Sequence, residues 1–342
     1  MNKENKIKCP VVEKQQDLFK VKINDTLFPA QLKGSLLYKI EDNSQFPCVG
    51  DMVRVNQYDN LVIIEELIDR KTKISRKVAG KKTTEQVLAA NIDFVFVVLG
   101  LDGGRNYSDR LLERYMTIAW ESGATPVVLL NKADLNEDAE LVKSQAEYIA
   151  QGVDIIVTSA KNGKGISSIN QLLSKGKSGV FIGPSGVGKS ALTNILIKED
   201  LQKTGEQRKQ DKRGRHTTST SIMYEIDAGG FIIDSPGLRE IQLWADDEHV
   251  DTVFQEISSI AKNCKFNDCQ HNGEPGCAVQ EAIGKDLITP DRYNSYLELK
   301  KEIAYLNLKK SEKGIFLERQ QNKRFTKHCK KMMKEKISMK KY

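Results

Sequence analysis

No run of apolar residues in this 342-residue chain approaches the roughly 18–20 positions that a membrane-spanning helix requires. The longest, around Phe94–Leu101, has the length of a strand. The amino terminus, Met1 to Pro10, is lysine-rich and lacks an apolar core segment, so nothing in it directs export. A disulfide framework is missing as well. Cys9, Cys48 and Cys329 stand alone, while Cys264, Cys269 and Cys277 crowd one segment beside His271. In a reducing compartment such a cluster points to metal rather than to cystine. No internal repeat is present. These absences lead us to expect a cytoplasmic monomer without membrane contacts, of about two domains and with a sizeable core.

Acid is scarce in two places. Lys300 to Tyr342 holds 15 Lys/Arg against 4 Asp/Glu, a net +11, so the rest of the chain sums to −4 within a total of +7. Arg70 to Lys82 holds seven basic residues and no acid. Basic segments are often only solvated, but two of them in one chain point to a polyanionic partner, most simply RNA.

Along the chain, the first 70 or so residues show the period-2 alternation of half-buried strands: Phe19, Val21 and Ile23 alternate with lysines, and Val53 and Val55 flank Arg54. Strands are expected near 18–23, 27–32, 36–40, 51–56 and 61–67, with turns at Asn24-Asp25 and Asp59-Asn60. Five short strands suit a small barrel, an OB-fold or an SH3-like barrel. From about 87 to 240 apolar strands (Phe94–Leu99, Pro126–Leu130, Asp154–Val157, Gly179–Ile182, Phe231–Ile233) alternate with helical stretches such as Asp109–Ser122 and Glu137–Gln151. That rhythm belongs to a covered, largely parallel sheet. Lys203–Ser221 is polar, basic and glycine-punctuated and reads as a mobile loop. After 243 the pattern is helical around the Cys/His cluster, with a further helix starting at Thr289-Pro290-Asp291.

The chemistry concentrates in short motifs. Gly183-Pro184-Ser185-Gly186-Val187-Gly188-Lys189-Ser190 fits the phosphate-binding loop G-x-x-x-x-G-K-[ST], between a strand and the helical run that begins at Ala191. Its backbone N–H groups are suited to a β-phosphate, Lys189 to the β/γ oxygens and Ser190 to Mg²⁺. Asn131-Lys132-Ala133-Asp134 follows another strand. A carboxylate at Asp134 can accept two hydrogen bonds from guanine that adenine cannot offer, Lys132 can cover the base plane and Asn131 can brace the loop. Thr158-Ser159-Ala160-Lys161 fits a loop that gives a backbone N–H to the base, and Asp234-Ser235-Pro236-Gly237 fits D-x-x-G, with Asp234 toward Mg²⁺ and Gly237 toward the γ-phosphate. The order is permuted: the base-reading loops precede the phosphate loop, which precedes Gly214-Arg215-His216-Thr217-Thr218 and D-x-x-G. Permutation at surface loops leaves a site's spatial arrangement intact. After Gly237, where many GTPases place a water-orienting Gln, stands Leu238. His216 is then a candidate catalytic residue beside Lys189, and Thr217 or Thr218 a candidate Mg²⁺ ligand. Cys264, Cys269, His271 and Cys277 satisfy tetrahedral Zn²⁺ with no open position, as in structural sites. Two other readings stay open from these residues: an RNA-binding module with incidental hydrolysis, and a small-molecule kinase, which would leave Asn131–Asp134 without a role.

With these residues placed, the chain resembles the ribosome small-subunit-dependent GTPase A family, bacterial circularly permuted GTPases, over nearly its whole length. The resemblance rests further on Pro47-Cys48-Val49-Gly50-Asp51, Ala89-Ala90-Asn91-Ile92-Asp93, Leu238-Arg239-Glu240 after D-x-x-G, and Glu274-Pro275-Gly276-Cys277-Ala278-Val279. Ser235 departs from a frequent Thr, and Ser219 follows the two threonines. The resemblance implies an N-terminal OB-fold β-barrel (1–72), a basic linker (73–86), a circularly permuted P-loop GTPase α/β domain (87–242) and a mostly helical zinc domain with a basic tail (243–342). It also implies GTP and GDP as ligands, a catalytic role for His216, and binding to the small ribosomal subunit and its rRNA late in maturation, with hydrolysis stimulated by that subunit.

Overall fold

The computed structural model describes residues 6–58, 61–77, 85–197, 220–241 and 247–305. His216, Thr217 and Thr218, the loop expected at 203–221 apart from its last two residues, and the tail beyond 305 lie outside the described residues.

The amino-terminal strands are β1 (Ile7–Gln15), β2 (Leu18–Ile23), β3 (Thr26–Leu32), β4 (Met52–Tyr58) and β5 (Leu61–Leu67). They close a barrel in the order β1-β2-β3-β5-β4 and back to β1, with β3–β5 the parallel pair, around Val11, Phe19, Val21, Val53, Val62 and Ile64. This is the OB-type barrel of the two expected. The turn at Asn24-Asp25 has both residues in the left-handed region (φ 46° and 63°), as a two-residue hairpin turn requires. The expected strand at 36–40 is instead the short helix α1 (Gly34–Lys39). Its leucines and lysine are straight-chain helix formers, and one side, Leu36, packs beneath the barrel while Tyr38 is exposed. Strand β1 went unpredicted because Pro10 interrupts it. Near that residue the strand changes partner: Ile7 to Pro10 pair with β4, and Val11 onward with β2.

The basic segment expected as a linker begins with β6 (Lys73–Lys77), which pairs antiparallel with β7 (Glu85–Ala90). The sheet of the second domain comprises β8 (Phe94–Gly100), β9 (Thr125–Asn131), β10 (Asp154–Val157), β11 (Ser178–Ile182), β12 (Ser221–Glu225) and β13 (Phe231–Asp234), ordered β10-β9-β8-β11-β13-β12. All neighbours are parallel except β12. The strands are almost wholly apolar because both faces are covered. Helices α2 (Asp109–Glu121) and α3 (Ala139–Ile149) pack on one face through Leu112, Met116 and Ala146; α4 (Ile166–Leu172) and α5 (Lys189–Leu196) pack on the other through Ile169 and Leu192.

Two joints tie the parts together. The edge strand β12 pairs with β1, so the sheet runs on into the barrel. On the opposite side α6 (Asp247–Val253), α7 (Gln255–Ala261), α8 (Ala278–Gly284) and α9 (residues 290–305) share a core with α2 through Val250, Phe254, Ile257 and Ile303. Arg292 anchors that joint: its guanidinium reaches Glu113 on α2, Glu256 (2.7 Å) and the Val253 carbonyl (2.8 Å), and lies 4.2 Å over the Phe254 ring. Among the described residues no helix is long and apolar enough to cross a membrane.

The motif Pro47–Asp51 acquires a reason here. Asp51 is fully buried and accepts two hydrogen bonds from Arg70, both 2.7 Å, and one from the Cys48 N–H. Arg70 also donates to the carbonyls of Ser44 and Phe46. The first residue of the basic run is therefore spent on the buried Asp51 and is not free for a phosphate. Removing one partner of such a buried pair leaves the other charge stranded. Arg70→Met is expected to destabilise the protein by about 3 kcal/mol, whereas Arg54→Met, which breaks the half-exposed pair with Glu66, should cost less than about 1 kcal/mol. Calorimetric unfolding of the two variants checks this; equal effects would contradict it.

Candidate nucleotide and metal sites

In an open α/β sheet ligands gather at the carboxyl ends of the parallel strands. Five segments converge on that edge: 101–107 after β8, 131–136 after β9, 158–165 after β10, 183–188 after β11 and 234–238 after β13.

Asn131 joins three of them. It is buried (1 % exposed), its Nδ2 donates to the Val187 carbonyl of the phosphate-loop motif (2.8 Å), and its Oδ1 accepts from Thr158 Oγ1 and from the Ala160 N–H, each at 3.2 Å. One side-chain amide thus spends donor and acceptor on the two loops that flank its own. Gly188 has to be glycine for the same reason. Its φ is +102°, and a Cβ there would stand 2.3 Å from Asn131 Nδ2.

Asp134 sits in a one-turn 3₁₀ helix (Ala133–Leu135) and accepts from Ser159 Oγ at 2.6 Å, with Lys161 Nζ 3.7 Å from its other oxygen. The Ser159 hydroxyl is the main reason its carboxyl is held below the usual carboxylate range, so it is an acceptor at neutral pH. Lys132 adopts φ +64°, a conformation that costs a lysine about 1 kcal/mol or more. Its ammonium ion-pairs with Asp102, which accepts as well from Asn106 Nδ2 (2.9 Å). The Lys132 contact lowers the Asp102 carboxyl below its ordinary range. The sequence reading missed Asp102 and Asn106; their one signal was a position just past a strand, at the edge where ligands bind.

In the phosphate-loop motif, Lys189 folds back over the loop and donates to the carbonyls of Gly183 (2.7 Å) and Pro184 (2.6 Å). Ser190 and Asp234 line one small cavity with Lys189. Of the expected set, Asn131, Lys132, Asp134, Ser159, Ala160, the 183–190 loop, Asp234 and Gly237 therefore share one edge of the sheet. Leu238, in the place of a water-holding glutamine, is 3 % exposed and belongs to the core.

The second cluster lies between α7 and α8. The ligand atoms of Cys264, Cys269, His271 and Cys277 all lie within 4.8 Å of one another. His271 Nδ1 is 3.5 Å from the sulfurs of Cys264 and Cys277, which are 4.0 Å apart. A tetrahedron with metal–sulfur bonds of 2.3 Å and a metal–nitrogen bond of 2.0 Å has edges of about 3.5–3.8 Å, so these donors fit one ion. The loop is braced around them. The His271 carbonyl accepts from Gln280 Nε2 (2.6 Å) and Tyr293 Oη (2.7 Å), and Glu274 accepts from the N–H groups of Gln270 and Asn272.

A P-loop site whose base-side loops come from strands earlier in the chain than the phosphate loop defines a circularly permuted P-loop GTPase. Residues 67–244 match the family model described as RsgA GTPase. The small ribosomal subunit biogenesis GTPase RsgA 1 of Oceanobacillus iheyensis is 39 % identical over 324 residues, 94 % of this chain and 92 % of that protein. The crystal structure of YjeQ from Thermotoga maritima superposes with a TM-score of 0.66 at 26 % identity, covering 87 % of this chain and 99 % of that one. That of YloQ, described as a circularly permuted GTPase, gives 0.64 at 22 % identity over 89 % and 97 %. The chain belongs to the RsgA GTPase family and is a GTP hydrolase.

The four-donor cluster predicts one tightly held metal ion per chain. Elemental analysis of protein purified without added metal should find a ratio of about one, falling to background in a Cys264→Ser/Cys277→Ser variant. Metal at background in the wild type, or unchanged in the variant, would contradict the assignment.

Proposed function

We propose that this protein binds the small ribosomal subunit late in its maturation and hydrolyses GTP to GDP and phosphate when the subunit stimulates it. The ribosomal part rests on the near full-length likeness to the small ribosomal subunit biogenesis GTPase of Oceanobacillus iheyensis. The nucleotide part rests on the amide of Asn131, which links the loop at 131–134 to the loop at 158–161 and to the phosphate loop.

In this reading the carboxylate of Asp134 receives the guanine N1–H and exocyclic amine, and a backbone N–H of the 158–161 loop that Asn131 does not hold meets the guanine carbonyl. The stem of Lys132, held by Asp102, covers the base plane. Adenine offers no donors to Asp134 and would strand a carboxylate, which is a strong penalty. The 183–190 backbone at the start of α5 cradles the phosphates, and Lys189 leaves its loop carbonyls for the β/γ oxygens. Ser190 and Asp234, with Thr217 or Thr218, are the ligands for Mg²⁺, which neutralises charge on the phosphates when bound. His216 or a group of the ribosome orients the attacking water, since Leu238 has no polar atom with which to do so. Zn²⁺ is the ion for Cys264, Cys269, His271 and Cys277, where it closes the loop structurally.

The partner surface follows from charge. The basic tail after Lys300 and Lys71, Lys77, Lys81 and Lys82 bind rRNA phosphates in this scheme, with Arg70 withdrawn from it by Asp51 and Lys73 held by Glu85. The protein acts as a cytoplasmic monomer, with domain limits at about 72, 86 and 242. GTP hydrolysis measured alone, with small subunits and with large subunits tests the proposal. The expected result is stimulation by small subunits of at least about 100-fold, the lower end of what a positioned catalytic group contributes, with no effect of large subunits. Equal rates in all three conditions would refute it.

A further inference from the structure

Beside the D-x-x-G turn the described residues include a positive side chain that the mechanism above leaves without a task. Arg76, on β6, is half-buried. Its Nε donates to Gln86 Oε1 at 3.0 Å on the neighbouring strand β7. Among the described residues the guanidinium makes no other hydrogen bond and has no carboxylate partner. The nearby acid, Glu85, is already occupied by Lys73 Nζ and Ser75 Oγ, both at 2.7 Å.

Arg76 lies against the D-x-x-G turn. A Cβ built on Gly237 would stand 3.3 Å from Arg76 Cζ and 2.6 Å from Leu88 Cδ2. The φ of Gly237 is not in the left-handed region; a side chain there would have to displace the end of Leu88 and crowd Arg76, because the β6–β7 hairpin closes directly on it. Arg76 and Gly237 also line a common cavity of about 450 Å³ between hairpin, barrel and turn, with Lys14, Phe46, Cys48 and Ser235 on its other walls. The second cation in that wall, Lys14, is committed: its ammonium donates to the Pro47 carbonyl at 2.7 Å and lies over the rings of Phe19 and Phe46. Among the described residues lining that cavity, Arg76 is the cation that remains available.

From this placement we propose that Arg76 is a catalytic residue of GTP hydrolysis, a built-in arginine that contacts the γ-phosphate from the hairpin side. The proposal rests on the reading that Gly237 meets the γ-phosphate. In the reaction the water oxygen forms a bond to Pγ while the bond from Pγ to the bridging oxygen breaks. The electron pair stays with the β-phosphate of GDP, and the water protons pass to inorganic phosphate and solvent. Charge spreads over the γ-oxygens as this happens, and a guanidinium held at one edge by Gln86 offers two terminal nitrogens to them. The arginine is supplied by the same chain, on a hairpin whose position is set by Leu88 packed on the turn.

The test is single-turnover hydrolysis by the full chain, with and without small subunits, alongside GDP affinity and thermal unfolding. Arg76→Ala should lower the hydrolysis rate by about 100-fold, the scale of removing one such donor, with GDP affinity and melting temperature close to wild type. Arg76→Lys should recover part of the rate, and added guanidinium at millimolar concentration should partly rescue Arg76→Ala. Lys20→Ala, which removes an exposed barrel charge paired with Glu13, should hydrolyse GTP at the wild-type rate. A rate for Arg76→Ala within about threefold of wild type, far below the effect of losing a transition-state donor, would overturn the proposal. So would a parallel loss of GDP affinity and stability, which would make Arg76 a packing residue. If Asp234→Ala leaves GTP binding and hydrolysis intact, the failure lies instead in the assignment of the D-x-x-G turn, and the proposal falls with it.

Discussion

The nucleotide site depends on the side-chain amide of Asn131. Loops after three different strands must keep their relative positions within a fraction of an ångström for a base and a phosphate chain to be held at once. In this protein one buried group touches all three: Nδ2 reaches the Val187 carbonyl, and Oδ1 reaches Thr158 and Ala160. Such a buried amide is costly to leave unpaired, so the three loops are stable together and not separately. The glycine at 188 and the left-handed backbone of Lys132 are local concessions to that junction. The junction also explains why permutation is harmless. It needs β9, β10 and β11 to end on the same edge of a parallel sheet, and it is indifferent to which of them comes first.

What permutation changes is the surroundings. The phosphate-loop strand β11 lies at the centre of the sheet, and the strand after it in sequence, β12, becomes an edge that pairs with β1 of the barrel. The chain that leaves the D-x-x-G turn runs on toward helices docked on α2 through Arg292 and Phe254. The β6–β7 hairpin sits where barrel and turn meet, packed on Gly237 through Leu88. The element that would register the γ-phosphate is therefore in contact with the barrel side and covalently near the metal domain. Both flanking units are joined to the GTPase sheet, one by a shared sheet and the other by a shared core.

The parts of this arrangement that were legible in the sequence are those written in local pattern. The parallel strands were apolar throughout because both faces are covered, and their limits fell within a residue or two. The motifs at 131–134, 183–190 and 234–237 carry fixed spacings, and each was found at a strand end. The Cys/His cluster was legible because thiolates crowd together in a reducing cell only for a reason. Four things were not legible. Pro10 hid β1, whose pairing with three different strands depends on tertiary context. The apolar run at 36–40 had the composition of a strand, but its leucines served a helix with one side under the barrel. Lysines masked the alternation of β6, so a paired strand looked like a linker. Arg70 read as one more surface cation, since no local signal says that Asp51, nineteen positions earlier, will take it inward. The roles of Asp102 and Arg76 were invisible for a related reason: each is defined by a contact with a loop distant in sequence.

The central claim is that loops brought together by Asn131 form a site that reads guanine through the carboxylate of Asp134. The most direct measurement is the affinity of Asp134→Asn for GTP and for xanthosine triphosphate, whose base presents an acceptor where guanine presents its amine. The account predicts that GTP affinity falls by about two orders of magnitude or more, the scale expected when a buried polar pair is mismatched, while xanthosine triphosphate binds the variant better than the wild type. A variant that holds GTP as tightly as the wild type would contradict it.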